Sequence, residues 1–362
     1  MSQRSTRSTA SKPQRSIEQI DADIVRLLDE RARICRDTLR AEERTNQSSG
    51  AWSSQLQRRL LRRIEQASAG DFPTDALKRI FTDIQSICAA LRREIRVAYF
   101  GPEATYTHMA AVREFGNAAR YTPHVTVHDV FHAISKDWAD FGVVPIENST
   151  GGMVHHTLDE FLEYDLTITS EIIMDIHHNL LSKHPLNRIR KVFSHPQGFS
   201  QCQRWLRKNL PGAELIELAS TAEGARLALE TPGGAAIASE LAASLYGLPL
   251  RGRAIEDYEG NRTRFIVLGR EPADPTGRDK TSLLLSLKDR PGALYHALKP
   301  FSEARINLTK IESRPTKRKA WEYYFFIDLE GHQHEARISK VLKKVERLCL
   351  FFKILGSYPK GE

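Results

Sequence analysis

The chain has 362 residues, 41% hydrophobic and 27% charged, with a mean hydropathy of −0.42 and a formal net charge of +8. That is the balance of a soluble folded protein with room for two or three domains, and no stretch approaches the ~20 apolar residues of a membrane span. The charge is split, with 19 basic against 13 acidic residues over 1–96, 17 against 22 over 97–278 and 17 against 10 over 279–362, which is not the clustered basic stripe of a nucleic-acid surface.

Residues 1–13 lack the apolar stretch of a secretory signal and read as a disordered tail. Cys35, Cys88, Cys202 and Cys349 are scattered without a C-x-x-C pair. The pattern predicts a cytoplasmic protein with neither a disulfide framework nor a metal site.

Residues 14–95 read as helix only. Ile17, Ile20, Ile24, Leu27, Leu28, Ile34, Cys35 and Leu39 recur at three- and four-residue steps, which predicts one long amphipathic helix. The polar run 45–50 breaks it. Leu56, Leu60, Leu61, Ile64 and Ala67 form a second stripe. After the turn 70–73, with Thr74 as a candidate N-cap, Leu77, Ile80, Phe81, Ile84, Ile87, Cys88 and Leu91 form a third. Helices of such unequal length bury the long stripe best in a helical dimer.

Residues 96–272 alternate strands (VAYF, FGVVPIE, TITSEIIM, KVFSH, AAIAS, FIVLG) with helical runs. The pattern predicts an α/β domain with a largely parallel sheet, large enough for two lobes around a cleft. Four polar clusters sit at strand ends, where open α/β sheets bind ligands. GPEATYTH (101–108) offers turn N–H groups and Thr105; a plain helix cap uses the same residues. PIENSTGG (145–152) brings Glu147, Asn148 and Ser149, donors and acceptors for a hydroxylated, carboxylated substrate. SHPQGFSQC (194–202) brings His195, Gln197 and Gln201, and NRTRF (261–265) sets Thr263 between two arginines able to grip carboxylates. The pairs His155–His156 and His177–His178 are adjacent, so their side chains point apart on a strand and make poor metal pairs.

After the linker 271–279, residues 279–358 read β-α-β-β-α-β, a ferredoxin-like α+β order. PGAL (291–294) opens its first helix and NLTKIESRP (307–315) forms its second strand.

The strings GPEATYT, PIENSTGGMVHHTLD, SHPQGFSQC, NRTRF, PGAL and IESRP, in that order, resemble prephenate dehydratase followed by an ACT regulatory domain. The likeness spans 96–358, and the order of the strings is highly specific. One departure is Ala104, where the family usually has Gly. The resemblance implies a multidomain protein: an all-α region, a two-lobe α/β domain and a ferredoxin-like ACT domain. It implies conversion of prephenate to phenylpyruvate, water and carbon dioxide without a cofactor, in phenylalanine biosynthesis. Arogenate dehydration, or a two-lobe binding module without chemistry, is the alternative. By resemblance Thr263 donates to the leaving hydroxyl, Arg264 holds a substrate carboxylate or orients the loop, and Glu147 orders the donors or serves as a second acid. Thr105, Asn148, Ser149, Gln197, Gln201, Asn261 and Phe265 would line the substrate site. Phenylalanine would bind as effector near Gly292, Ala293, Leu294, Asn307 and Leu308, with Glu312, Ser313 and Arg314 bracing that site, in a homodimer or homotetramer.

Residues 14–95, with I-x-x-I-D-x-x-I-x-x-L-L-x-E-R from Ile17 to Arg31, resemble the chorismate mutase domain often fused ahead of this dehydratase. Arg31 matches one of the family's cage arginines. The other cage positions fall on Gln14, Glu42, Leu56, Gln57, Cys88 and Arg92. The likeness therefore implies a degenerate mutase, bifunctionality being the alternative.

Overall fold

The computed structural model describes residues 15–45, 52–91, 93–315 and 323–361. The predicted helix break, 45–50, lies outside them except for Thr45, as do Gln14 and Arg92 and the side chains of Leu39 and Glu42.

Three helices come first: α1 (Ile17–Thr45), α2 (Ser54–Ala67) and α3 (Thr74–Ala90). Pro73, not Thr74, occupies the capping position of α3, and no side chain caps it. The residues buried on α2 are Ser54, Gln55 and Gln57, and those on α3 are Thr82, Ser86 and Cys88. Ile17, Ile20, Ile24, Leu27, Leu28 and Ile34 on α1 are 38–74% exposed. From Ile17 to Ile34 the predicted stripe exists and is exposed. Trp52 anchors the helices to the next domain by packing on Phe115, ring centroids 5.4 Å apart.

The central domain has two lobes. The first contains β1 (Arg96–Phe100), α4 (Tyr106–Phe115), β2 (Arg120–His124), α5 (Val127–Ser135), β3 (Phe141–Asn148), β4 (Gly152–Met153), α6 (His155–Glu163) and β5 (Thr167–Asp175). The chain then crosses to β6 (Asn179–Leu181), β7 (Lys191–Ser194), α7 (Pro196–Gln201), α8 (Gln203–Asn209), β8 (Glu214–Glu217), α9 (Thr221–Glu230), β9 (Gly234–Ala238), α10 (Glu240–Tyr246) and β10 (Leu250–Gly252). It returns through β11 (Arg262–Gly269). The first sheet runs β2-β1-β3-β11-β5 and the second β10-β6-β9-β7-β8. The first sheet is mixed, which corrects the expectation of a largely parallel one. Because β11 arrives from the other lobe, it lies antiparallel to both β3 and β5. The two crossings are tied where they pass, Ile176 N donating to Asn261 O at 2.8 Å. His155 and His156 open helix α6 rather than lying on a strand.

The last domain contains β12 (Asp279–Leu287), α11 (Ala293–Glu303), β13 (Leu308–Pro315), β14 (Tyr323–Glu330), α12 (Ala336–Glu346) and β15 (Cys349–Pro359), with sheet order β13-β14-β12-β15. One face packs on its own helices through Leu283, Leu285, Phe301, Ile327 and Ile338. The other face joins the first lobe's core, Leu284, Phe326, Leu355 and Tyr358 packing with Ile146, Ile168 and Ile266. Burial on both faces fits the consecutive apolar residues Leu283, Leu284 and Leu285 in the middle of β12. The docking is close. A Cβ built on Gly356, whose φ is +151°, would lie 2.3 Å from Ile168 O.

Candidate active site

The end of β11 lies beside the end of β3, Thr263 opposite Asn148 and Arg264 opposite Glu147. Side chains alternate across a sheet, so the two pairs face opposite ways. The first faces the gap between the lobes and the second faces the ACT domain.

Asn148 is the hub of the interlobe cluster. Its Oδ1 accepts from Thr150 N at 3.0 Å and Gly151 N at 2.9 Å. Backbone N–H groups only donate, so they fix which way this amide points. Its Nδ2 therefore donates, to Thr263 Oγ1 at 2.9 Å and Asn261 Oδ1 at 2.9 Å. The order propagates. Asn261 Nδ2 donates to Gln201 Oε1 at 2.9 Å, and that oxygen also takes a donor from His178 Nε2 at 2.6 Å. Gln201 Nε2 points to Thr150 Oγ1 at 2.8 Å, and Gln197 Nε2 reaches Asn148 Oδ1 at 3.1 Å. Both glutamines come from α7 in the second lobe, so the cluster bridges the lobes. Thr263 Oγ accepts from Asn148, and no acceptor takes its own hydrogen among the described residues.

The structure thus gathers Asn148, Gln197, Gln201, Asn261 and Thr263. Ser149 lies at the edge, its Oγ accepting from Arg262 N at 2.9 Å, so it ties the loop to β11. Thr105 is spent on the helix cap, its oxygen accepting from His108 N and donating to Pro102 O. Phe265, expected to line the substrate site, is 1% exposed and packs in the lobe core with Ile172, Met174 and Val143, so it is corrected to a core residue.

Two further expectations are corrected. Arg264 and Glu147 lie on the far face. Arg264 pairs with Asp328 Oδ2 at 2.6 Å and Glu171 Oε2 at 2.7 Å, and donates to Tyr358 OH at 2.8 Å. It is buried and engaged, so it does not hold a substrate carboxylate. Glu147 accepts from Lys310 Nζ of β13 at 2.6 Å and lies 3.6 Å from Arg264, so it is not placed as a second acid. Burial would raise the Glu171 carboxyl, yet Arg264 and Lys280 beside it hold it below the ordinary value.

His178 and Tyr106 belong to the cluster and were missed. His178 is 3% exposed, and burial pushes its imidazole below the ordinary value. Its Nδ1 lies 3.2 Å from Tyr106 OH, whose proton goes to His177 O at 2.7 Å. His177 turns away to Glu256 at 2.7 Å, as adjacent residues should. Sequence reading weighed the pair only as metal ligands.

In the ACT domain Gly292 precedes α11 at φ +77° and Leu294 is 37% exposed. Asn307 donates to Glu330 Oε2 at 3.3 Å, just before Leu308 opens β13. Along β13 the residues alternate. Lys310, Glu312 and Arg314 are half-buried, with Lys310 and Arg314 bonded to the first lobe, while Ile311 and Ser313 are exposed. Arg314 grips Asp159 at 2.5 Å and the His155 carbonyl, which is a bracing contact.

The chain matches the family models for chorismate mutase type II over 14–93, prephenate dehydratase over 97–273 and the ACT domain over 281–347. It is 45% identical over 350 residues to a bifunctional chorismate mutase/prephenate dehydratase of Aquifex aeolicus, covering 96% of this chain and 97% of that one. Among solved structures it resembles a prephenate dehydratase in complex with L-Phe from Arthrobacter aurescens, with TM-score 0.68, 33% identity and coverage of 73% and 90%. It also resembles a protein described as a quorum-quenching acylase, with TM-score 0.66, 28% identity and coverage of 73% and 96%.

Proposed function

The chain belongs to the chorismate mutase/prephenate dehydratase family and is a prephenate dehydratase, and from that premise we propose that Thr263 is the proton donor of its reaction. The ring carbon–oxygen bond breaks and the hydroxyl leaves as water with the Thr263 proton, which solvent water then restores to the threonine oxygen. The bond to the ring carboxylate breaks, its electron pair completes the aromatic ring, and carbon dioxide departs. A threonine hydroxyl is a weak acid. The observation that carries the reading is the Asn148 N–H aimed at Thr263 Oγ from 2.9 Å, where it stabilises charge developing on that oxygen as the proton leaves. Gln197, Gln201 and Asn261 offer polar groups that orient the substrate. An acylase would need the reverse at Thr263, a base that takes its proton. The partner present is a donor.

Purified protein given prephenate should produce phenylpyruvate absorbance. Thr263→Ala should lower kcat by about 10²-fold or more with little change in KM, because a proton donor acts in the transition state. A folded Thr263→Ala protein with wild-type kcat rejects the assignment.

Phenylalanine, by this reading, binds the ACT domain near Gly292, Ala293, Leu294, Asn307 and Leu308 and lowers the rate. The uncovered stripe on α1 supports at least a homodimer, and the helices serve that assembly with little or no mutase turnover.

A further inference from the structure

Thr263 and Arg264 are neighbours in sequence, and their side chains face opposite sides of the sheet, Thr263 toward the gap between the lobes and Arg264 toward the ACT domain. Opposite Arg264 and Phe265 the pairing with β3 skips Ile146, whose carbonyl turns to Val154 N at 2.8 Å. Such a bulge re-aims side chains and interrupts the ladder. Beyond it only two residue pairs, Arg264 with Glu147 and Thr263 with Asn148, continue the pairing to β3, while on the other side the ladder to β5 runs on through Arg262 with Asp175. Behind that strand end stands the Arg264 side chain, gripped by Asp328 at 2.6 Å and Tyr358 at 2.8 Å, both from the ACT domain and both fully buried. Ser282 holds the other oxygen of Asp328 at 2.5 Å. Glu171 completes the grip and is itself a meeting point. Its carboxylate takes Lys280 Nζ and Gly361 N, and its carbonyl takes Arg58 from α2 at 2.9 Å.

We propose that Asp328 of the ACT domain is a positioning residue for the dehydration, acting through Arg264 to place the Thr263 hydroxyl. The inference rests on the reading of Thr263 as proton donor. A displacement of about 1 Å at a reacting group can cost on the order of 10²-fold in rate. Asn148, Gln197 and Gln201 keep their contacts on the other side of the sheet, so substrate binding is spared. The network is charge-balanced, with Arg264, Lys280 and Lys310 facing Glu171, Asp328 and Glu147. Removing Arg264 and Asp328 together leaves two intact pairs, Lys280 with Glu171 and Lys310 with Glu147.

The test compares four full-length variants: Asp328→Asn, the charge-balanced double Arg264→Gln with Asp328→Asn, Thr263→Ala, and Lys353→Gln. Lys353 ties the same two domains at another point, through Tyr164 O at 2.8 Å and Phe161 O at 3.2 Å. Asp328→Asn and the double variant should lose at least about tenfold in kcat with KM within about twofold, while Lys353→Gln keeps the wild-type kcat. A wild-type kcat in the folded double variant overturns the inference, as does an equal loss in Lys353→Gln. Failure of both Asp328 variants to fold makes the network structural and also overturns it. If Thr263→Ala loses activity and the Asp328 variants do not, only this inference fails. If Thr263→Ala keeps its kcat, the reading beneath it fails.

Discussion

His178 Nε2 lies 2.6 Å from Gln201 Oε1, an oxygen that already accepts from Asn261. An amide oxygen only accepts, so the imidazole proton sits on Nε2 and two donors pin the amide. That leaves Gln201 Nε2 aimed at Thr150 between the lobes. His178→Phe removes one pin and frees the amide to turn. Its kcat/KM should fall by up to about 10²-fold, the scale of a misplaced orienting group. His178→Gln carries an amide donor and should recover most of the loss. Equal activity in the two variants would assign His178 to packing alone.

The cluster was legible where its residues sit in polar runs at or just after strand ends, as Asn148 and Thr263 do on β3 and β11 and Gln197 and Gln201 do on α7 after β7. Thr263 and Arg264 were both placed at the site, although strand alternation sends neighbouring side chains to opposite faces. What could not be read was the destination of Arg264, since Asp328 is 64 residues later and in another domain. The mixed sheet was hidden for a similar reason. β11 looks like any apolar strand, and its direction depends on the chain returning from the second lobe. Tyr106 and His178 carried no local signal, because a buried polar contact 72 residues apart leaves no spacing to detect.

The ACT domain docks by backbone approach. Gly356 combines φ +151° with a site where a Cβ would meet Ile168 O at 2.3 Å. Gly356→Ala must push β15 away from β5, and overpacking of this kind costs roughly 1–3 kcal/mol before the backbone strain is added. Denaturant melts of the full chain should show a loss of at least that size. A loss below about 0.5 kcal/mol, the range of ordinary surface changes, would mean that the docking is loose.

Phenylalanine should give a calorimetric binding signal with the full chain and slow phenylpyruvate formation. Leu294→Arg, at a partly exposed position one residue inside α11, should weaken both effects while prephenate turnover without phenylalanine stays near wild type. Light scattering should report at least a dimer. Absence of heat together with an unaffected rate would remove phenylalanine as effector.

Acid should weaken the fold in two stages. Burial lowers His108, His178 and His195 below their ordinary value of 6.5. Between the folded and ordinary values the unfolded chain binds more protons, so stability is lost as pH falls below 6.5. Glu171 follows. Burial opposes its charge, but Arg264 and Lys280 hold its carboxyl below 4.5, so its contribution is present above 4.5 and is lost as pH falls further. Tm should decline between pH 7 and 5.5, and His178→Gln should flatten that slope. A Tm level down to pH 5 would contradict the histidine part.

The helical domain should turn over chorismate poorly. Chorismate carries two carboxylates and rearranges without acid or base, so its site must be a cage of cations and donors around the compact conformer. Arg31 reaches Cys88 Sγ at 2.8 Å, at one of the cage positions carried over by resemblance, so one cation is in place. The rest of the cage is thin. Leu56, at another of the cage positions carried over by resemblance, is 54% exposed, and Gln57 beside it is buried and donates to Thr82 Oγ1 at 2.8 Å. Arg58, the next cation on α2, is drawn away to the Glu171 carbonyl. The Aquifex aeolicus relative is named bifunctional, so the measurement discriminates directly. Chorismate consumption within about tenfold of the dehydration rate, a barrier difference under about 1.4 kcal/mol, would make both activities real. Turnover well below that, unchanged by Arg31→Ala, would leave these helices the role their uncovered stripe supports, holding two chains together.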